Sequence, residues 1–464
     1  MFQAYHKDLT TLHVGCEEPR SYFIPFLNEM NAMQGNRANS SRFISLCGEW
    51  DFRFYESFED VEEDFLSRPF EEKISVPLCW QVLTERGYDA PLYSNLWYPF
   101  MLDPPHIPDE NPCGHYHREF VIPEDFAERV TVNFEGVSSC FYLFVNKRFV
   151  GYSQVSHCTS EFDLTPFLNE EGQPNCMDVL VVKWCDGSYL EDQDCFRLSG
   201  IFREVYLLGR DEDGLKDFFV RSFVAEDFSR ADITVETVGS KACRFTLYDP
   251  NGKKLLVTEN KTFSVDSPIL WNAEQPRLYT LMISCGREFI AQKIGLKRLE
   301  IIGDKVYLNG KTVKLWGINR HDSNPNGGFT ATVDEMLEDL YLLKRANCNC
   351  IRTSHYPNDP RFLELCDELG FMVVDEADIE THGMGFEYGD TWDWMRWSML
   401  STVDEWEEAY VDRAKRLFER DKNHACVVMW SLGNESGCGK NHRAMNHYIK
   451  SRDAKAIVHY ENSH

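Results

Sequence analysis

Two short stretches gather the residue types that acid–base and metal chemistry use. In WSLGNESGCGKNH, residues 430–442, an apolar run ends and Asn434 and Glu435 follow a glycine at once. In DEADIETHG, residues 375–383, Glu380 and His382 are two apart, so in extended backbone both side chains leave on one side. A carboxylate at a strand end can act as a general acid or base. A carboxylate and an imidazole, with Glu435 as a third ligand, can hold a divalent cation that keeps some of its water. Other strand ends add His321, Arg352, His355, Asp375, Glu376, Tyr460 and Glu461. Singly, each has a plainer role, since a lone histidine there is more often a hydrogen-bonding fixture and a lone glutamate an ion-pair partner. Their collection at the same ends of successive strands is what points to a site.

The elements that must position them occupy the last third of the chain. After Ile301 strand-like and helix-like patterns alternate, which is the signature of βα units on a parallel sheet. Five strands are expected, at 313–319, 349–354, 371–376, 425–431 and 456–460, and a long helix over about 401–421. Thr332 with Glu335 three residues on reads as a helix cap. A closed barrel of this kind needs eight strands, and chemistry in it collects at the C-terminal strand ends. The expectation is therefore an incomplete (β/α)8 TIM barrel over 301–464. Upstream, residues 1–210 carry short alternating runs such as RVTVNFEGVSSCFYLFVNKRFVGYSQ, expected to form a β jelly-roll sandwich behind an N-terminal extension. Residues 211–300 read as an immunoglobulin-like β-sandwich, with YDPNGKK as a hairpin turn.

Composition narrows the partners. The formal charge of −27 disfavours nucleic acid and anionic membrane. The first twenty residues lack the apolar run of a secretory signal, and no run of apolar residues is long enough to cross a membrane. The 16 cysteines sit largely in apolar runs without paired CxxC spacing, so free, buried thiols and a cytoplasmic location are expected.

GINRHDSNP, RTSHYPNDPRFLELCDELGFMVVDEADIETHGM and WSLGNESGCGKNH resemble the bacterial β-galactosidases of glycoside hydrolase family 2. PLYSNLWYPF, WCDGSYLEDQDCFRLSGIFREV and ILWNAEQPRLYTL extend the resemblance along nearly the whole chain. The resemblance implies that Glu435 is the general acid/base of a retaining glycosidase and that Asn434 bonds the sugar 2-hydroxyl. It implies a Mg²⁺ on Glu380, His382 and Glu435, and His321 and His355 along the galactosyl site. Asn95 and Asp194 would reach in from the jelly roll, Asp194 as a ligand of Na⁺. It favours a galactoside such as lactose over glucuronides and mannosides. The nucleophile of the family is a glutamate in a Cys-Glu-Tyr context near the seventh strand, and no such tripeptide occurs here.

Two readings follow. One is a β-galactosidase that works once the missing segment supplies the nucleophile, with a second copy of the chain in a homo-oligomer, or a complementing C-terminal chain, as the expected protein partner. The other is an inactive or galactoside-binding fragment. A pure carbohydrate-binding module gives no reason for Glu380, His382 and Glu435 to occur together. A general acid at neutral pH needs a raised pKa, and burial in a barrel mouth is expected to raise that of Glu435.

Overall fold

The computed structural model describes residues 3–94, 97–239, 242–386 and 391–463. The first sandwich forms where hydrophobic alternation is strongest. A seven-stranded antiparallel sheet contains Cys113–Val121, Cys140–Val145, Arg148–Gln154 and Pro174–Val182, and a four-stranded sheet containing Arg129–Phe134 and Val205–Arg210 packs on it. Trp50, Phe52, Val132, Leu143, Val179 and Leu207 fill the space between them. Asn146 and Lys147 both adopt positive φ, so the two-residue turn joining Val145 to Arg148 matches the twist of its hairpin.

The second sandwich pairs a three-stranded sheet (Asp217–Val224, Arg230–Val238, Thr262–Asp266) with a four-stranded one (Cys243–Tyr248, Lys254–Thr258, Tyr279–Cys285, Glu288–Ile294). Asp249 folds the expected YDPNGKK turn by accepting from the backbone of Asn251 and Lys253. One expectation fails here. Cys243 and Cys285 are not free thiols but form a disulfide. They face each other directly in the register of two neighbouring strands. That pairing depends on a register between segments 42 residues apart, which the spacing of cysteines does not encode.

A three-stranded ribbon over residues 299–313 leads into the barrel segment, whose first strand begins at Gly317 rather than at the expected 313, because Lys311–Val313 pairs within the ribbon. The parallel strands are β1 (Gly317–Arg320), β2 (Cys350–Thr353), β3 (Met372–Glu376), β4 (Val427–Ser431) and β5 (Val458–His459), side by side in chain order. Between them run α1 (Val333–Arg345), α2 (Pro360–Leu369), α3 (Glu407–Asp421) and α4 (Lys440–Arg452). Thr332 and Glu335 cap α1 reciprocally, as expected. For α2, the Asp359 side chain accepts from the backbone of Arg361, Pro360 takes the first turn, and Gly370 closes the helix at φ 80°. The long helix expected from 401 begins only at Glu407; before it lie short turns at Trp394–Trp397 and Met399–Thr402.

The jelly roll does not hang off the barrel. Tyr98, Tyr189 and Leu190 share one core with Ile351, Val373 and Leu417. Arg413 of α3, fully buried, donates to the Asp378 carbonyl (2.8 Å) and to Glu191 (2.9 Å). The backbone of Glu380 donates to the Leu190 carbonyl at 2.7 Å, and Asp192 donates back to the Glu380 carbonyl at 3.1 Å. The segment that presents Glu380 and His382 is thus tied to the first domain by an isolated parallel β-bridge between Glu380 and Glu191.

Candidate active site

The C-terminal ends of β2, β3 and β4 converge on Asn434. Its amide nitrogen donates to Glu380 Oε2 at 3.0 Å, and its oxygen accepts from Arg352 Nη2 at 3.0 Å. These two bonds fix the amide's orientation, since the guanidinium can only donate and the carboxylate accepts. Arg352 also donates to Glu376 (2.5 Å) and lies 3.4 Å from Glu461 Oε2. Glu376 accepts in addition from His355 Nδ1 at 2.6 Å and from the Ser431 hydroxyl at 2.6 Å. Burial alone would raise the pKa of Glu376, but His355 and Arg352 bring it below the usual carboxylate range. Asp375, next to it, turns the other way and accepts from Thr353 at 3.2 Å rather than from Arg352.

Glu435 stands one residue beyond Asn434 and is half-buried, with its side chain 41% exposed. Its Oε2 lies 3.0 Å from His382 Nδ1. Its backbone N–H donates to Glu461 Oε1 (3.2 Å), and its carbonyl accepts from the Trp397 indole at 2.7 Å. The expectation of a raised pKa fails for this residue. The neighbouring His382 holds Glu435 below its ordinary value, and Glu435 in turn raises His382. Burial instead raises Glu380, well above the carboxylate range. The reason is solvent: the loop after β4 carries Glu435 outward to the mouth, whereas Glu380 is buried beneath it among Asp192, Glu435 and Glu376.

Glu380, His382 and Glu435 offer ligand atoms that all lie within 4.8 Å of one another. Glu380 Oε1 is buried with no hydrogen-bond partner, and His382 Nδ1, though close to Glu435, has no aligned acceptor. Two carboxylates and an imidazole with unfilled lone pairs fit a hard or borderline divalent cation.

His321 and His355 pack edge to face with ring centres 5.5 Å apart, and His321 Nδ1 is 3.3 Å from the Tyr356 hydroxyl. Burial and the His355 charge lower the pKa of His321. Asp194 accepts from the Tyr93 hydroxyl at 2.5 Å, and its charge acts on both His321 and His382. Asn95 lies outside the described residues. Sequence reasoning missed the groups that hold this frame. Asp192 accepts from the Gly383 backbone at 2.6 Å, and Asp378 binds both His157 (2.9 Å) and Gln193 (2.9 Å). It also passed over TWDWMRW, residues 391–397, whose three tryptophans are an evident signal for a surface aromatic cluster.

The chain is similar to known proteins along its length. Residues 43–211 match the sugar binding domain of glycosyl hydrolases family 2, residues 214–297 a further domain of that family, and residues 299–464 its TIM barrel domain. A beta-galactosidase of Actinobacillus pleuropneumoniae is 42% identical over 99% of the chain, which covers 48% of that protein. One from Staphylococcus xylosus is 40% identical, with 99% of the chain and 46% of the relative covered. The chain therefore spans about half the length of these relatives. Among solved structures, a Ruminococcus gnavus beta-glucuronidase in complex with uronic isofagomine superposes with TM-score 0.76 at 21% identity, over 94% of the chain and 73% of that structure. An uncultured Clostridium beta-glucuronidase gives 0.73 at 22% identity, over 90% and 72%. These two establish the shared fold.

Proposed function

Because the chain belongs to glycosyl hydrolase family 2, we propose that it forms the acid/base half of a retaining β-galactosidase, with Glu435 as the general acid/base. The observation that carries this is the Asn434–Glu435 pair at the end of β4, its amide clamped between Arg352 and Glu380 and its carboxylate beside His382. The galactoside preference rests on the beta-galactosidase relatives, which match at 40–42% identity, whereas the glucuronidases match near 21–22%.

In this reading Glu435 gives its proton to the glycosidic oxygen as the bond breaks and later takes one from the attacking water. That requires a proton to reside on Glu435, rather than on the neighbouring His382, when the leaving oxygen arrives. Asn434, with its amide held, presents a fixed edge to the sugar 2-hydroxyl. His321 and His355 border the sugar, and Asp194 approaches from the jelly roll, where it is also available to a Na⁺. Glu380, His382 and Glu435 would hold Mg²⁺, which would offset the charge of two adjacent carboxylates.

A retaining glycosidase needs a second carboxylate about 5–5.5 Å from the first. The acidic groups at these strand ends are already committed. Glu376 is bound by Arg352, His355 and Ser431; Glu461 by the Glu435 backbone and Arg352; Glu380 is buried under Asn434. We assign the nucleophile to a segment outside residues 1–464, whether from the same polypeptide or a complementing chain. The alternative, a galactoside-binding chain without turnover, has the same site and differs only in lacking that segment.

Leaving-group dependence tests the role of Glu435 in the completed enzyme. Glu435→Ala should slow nitrophenyl β-galactoside hydrolysis by about 10²–10⁴-fold where protonation of the leaving oxygen matters. It should spare bond cleavage with a dinitrophenyl leaving group, which departs without a proton, and azide should restore turnover as the galactosyl azide. Equal losses for both leaving groups, with no rescue, would overturn the assignment.

A further inference from the structure

Glu380 and His382, the two candidate cation ligands adjacent in sequence, do not sit on one extended strand. The chain leaves its bridge to Glu191 at Glu380 and enters a tight single turn, His382–Gly385. The first N–H groups of such a turn have no partner within it and need an acceptor from elsewhere. Thr381, in the capping position, does not supply one, and its hydroxyl is buried and unpartnered among the described residues. The acceptor comes from the other domain. Asp192 Oδ2 accepts from the Gly383 N–H at 2.6 Å, and the Asp192 backbone N–H donates to the Glu380 carbonyl at 3.1 Å.

Asp192 is itself held in place. It is fully buried, and Arg197 donates to its other oxygen. Arg197 also donates to the Gln193 carbonyl and, at 3.3 Å, to the Ser94 carbonyl, which closes the loop from Asp192 to Arg197 on itself. Gly383 is fitted to this carboxylate, since a Cβ there would meet Asp192 Oδ2 at 2.8 Å and the Tyr98 ring at 3.0 Å. One residue of the jelly roll thus bonds the chain on either side of His382, once at Glu380 and once at Gly383. Those two bonds set the offset between the Glu380 carboxylate and the His382 imidazole, and ion binding tolerates little error in it. We propose that Asp192 is the positioning residue of the candidate cation site, so that the jelly roll sets how tightly Glu380, His382 and Glu435 hold a divalent ion. This rests on the cation reading above.

The experiment is Mn²⁺ binding to the 464-residue chain and its Asp192→Ala, Asp192→Asn and Gly383→Ala variants, followed by electron paramagnetic resonance, with urea unfolding of each in parallel. Asp192→Ala removes the acceptor, and Gly383→Ala pushes the loop off it while leaving Asp192 paired with Arg197. The positioning role predicts that each weakens Mn²⁺ by about 10–100-fold. The spectrum of the Mn²⁺ that remains bound should broaden, because its ligands no longer share one geometry. Asp192→Asn, which keeps an acceptor oxygen, should bind Mn²⁺ more tightly than Asp192→Ala. Unchanged Mn²⁺ affinity in Asp192→Ala, whatever its urea midpoint, would make Asp192 a structural contact only and overturn the proposal. Should Asp192→Ala fail to fold, unchanged affinity in Gly383→Ala overturns it in the same way. Failure of the unaltered chain to bind Mn²⁺, or binding that Glu380→Gln leaves unchanged, overturns the cation reading and the positioning role with it.

Discussion

At the scale of single residues, solvent and charge separate three carboxylates that the sequence presents alike. Glu376 is held ionised by Arg352 and His355, Glu435 is held ionised by His382, and Glu380 is pushed toward its neutral form by burial. A divalent cation at its unpartnered Oε1 would relieve Glu380, as the proposed ligand set requires. Glu380→Gln should therefore weaken Mn²⁺ binding, followed by electron paramagnetic resonance, by about tenfold or more. Unchanged Mn²⁺ affinity would remove Glu380 from the ligand set. The i, i+2 spacing of Glu380 and His382 was legible in the sequence, as was the adjacency of Asn434 and Glu435. The depth of each group was not. A four-residue path from Ser431 to Glu435 can lead inward or outward, and the backbone bonds of Glu435 to Glu461 and Thr381 decide it.

At the scale of elements, local rules were read reliably wherever the residues that enforce them are adjacent in sequence. The capping box of Thr332 and Glu335, and the Asp359, Pro360 and Gly370 punctuation of α2, each act within a few residues. Thr332→Ala removes the hydroxyl that accepts from the Glu335 backbone while leaving the backbone bond of residue 332 to the Glu335 carboxylate, and should cost about 1 kcal/mol in urea unfolding. A null effect would mean that packing of Met336 and Leu340 alone sets the start of α1. The elements misjudged were those set by distant partners. Helix-compatible residues from 401 are broken into short turns before α3, where Ser398 and Ser401 meet the Gly437 and Gly439 backbone closely. The Cys243–Cys285 bridge likewise depends on strand register. His424, entering β4, pairs with Asp367 of α2 at 2.7 Å. Burial alone would lower its pKa, but the Asp367 charge lifts it to about 9. A histidine raised in the folded state stabilises fully below its ordinary pKa of about 6.5 and loses that contribution as pH rises through the folded value. Unfolding free energy should thus fall between about pH 6.5 and 9, by up to about 3 kcal/mol, relative to His424→Gln. Parallel pH profiles for the two proteins would contradict this.

At the scale of the whole molecule, the jelly roll and the barrel segment share a core and are joined through Arg413, and are therefore expected to unfold as one cooperative body. That guanidinium, fully buried, links the carbonyl of Asp378 to Glu191 of the first domain. Arg413→Ala leaves Glu191 without its cation in a buried setting and should cost about 3–5 kcal/mol, seen as loss of a single cooperative melting transition. Retention of that transition would show the domains to be independent. The domain sequence was legible because hydrophobic period changes from two to helical near residue 300; the shared core was not, because Tyr189 and Leu190 look like any buried pair until the segment at Glu380 is laid against them. The central claim is that the acid/base and its partner carboxylate belong to different parts of the enzyme, and hydrolysis of nitrophenyl β-galactoside by the purified 464-residue chain with Mg²⁺, beside a Glu435→Gln control, tests it most directly. The account predicts no turnover by either protein alone and turnover by the unaltered chain, but not the control, once the remaining barrel segment is added. Turnover by the chain alone that disappears in Glu435→Gln would place a nucleophile among residues 1–464 and contradict it.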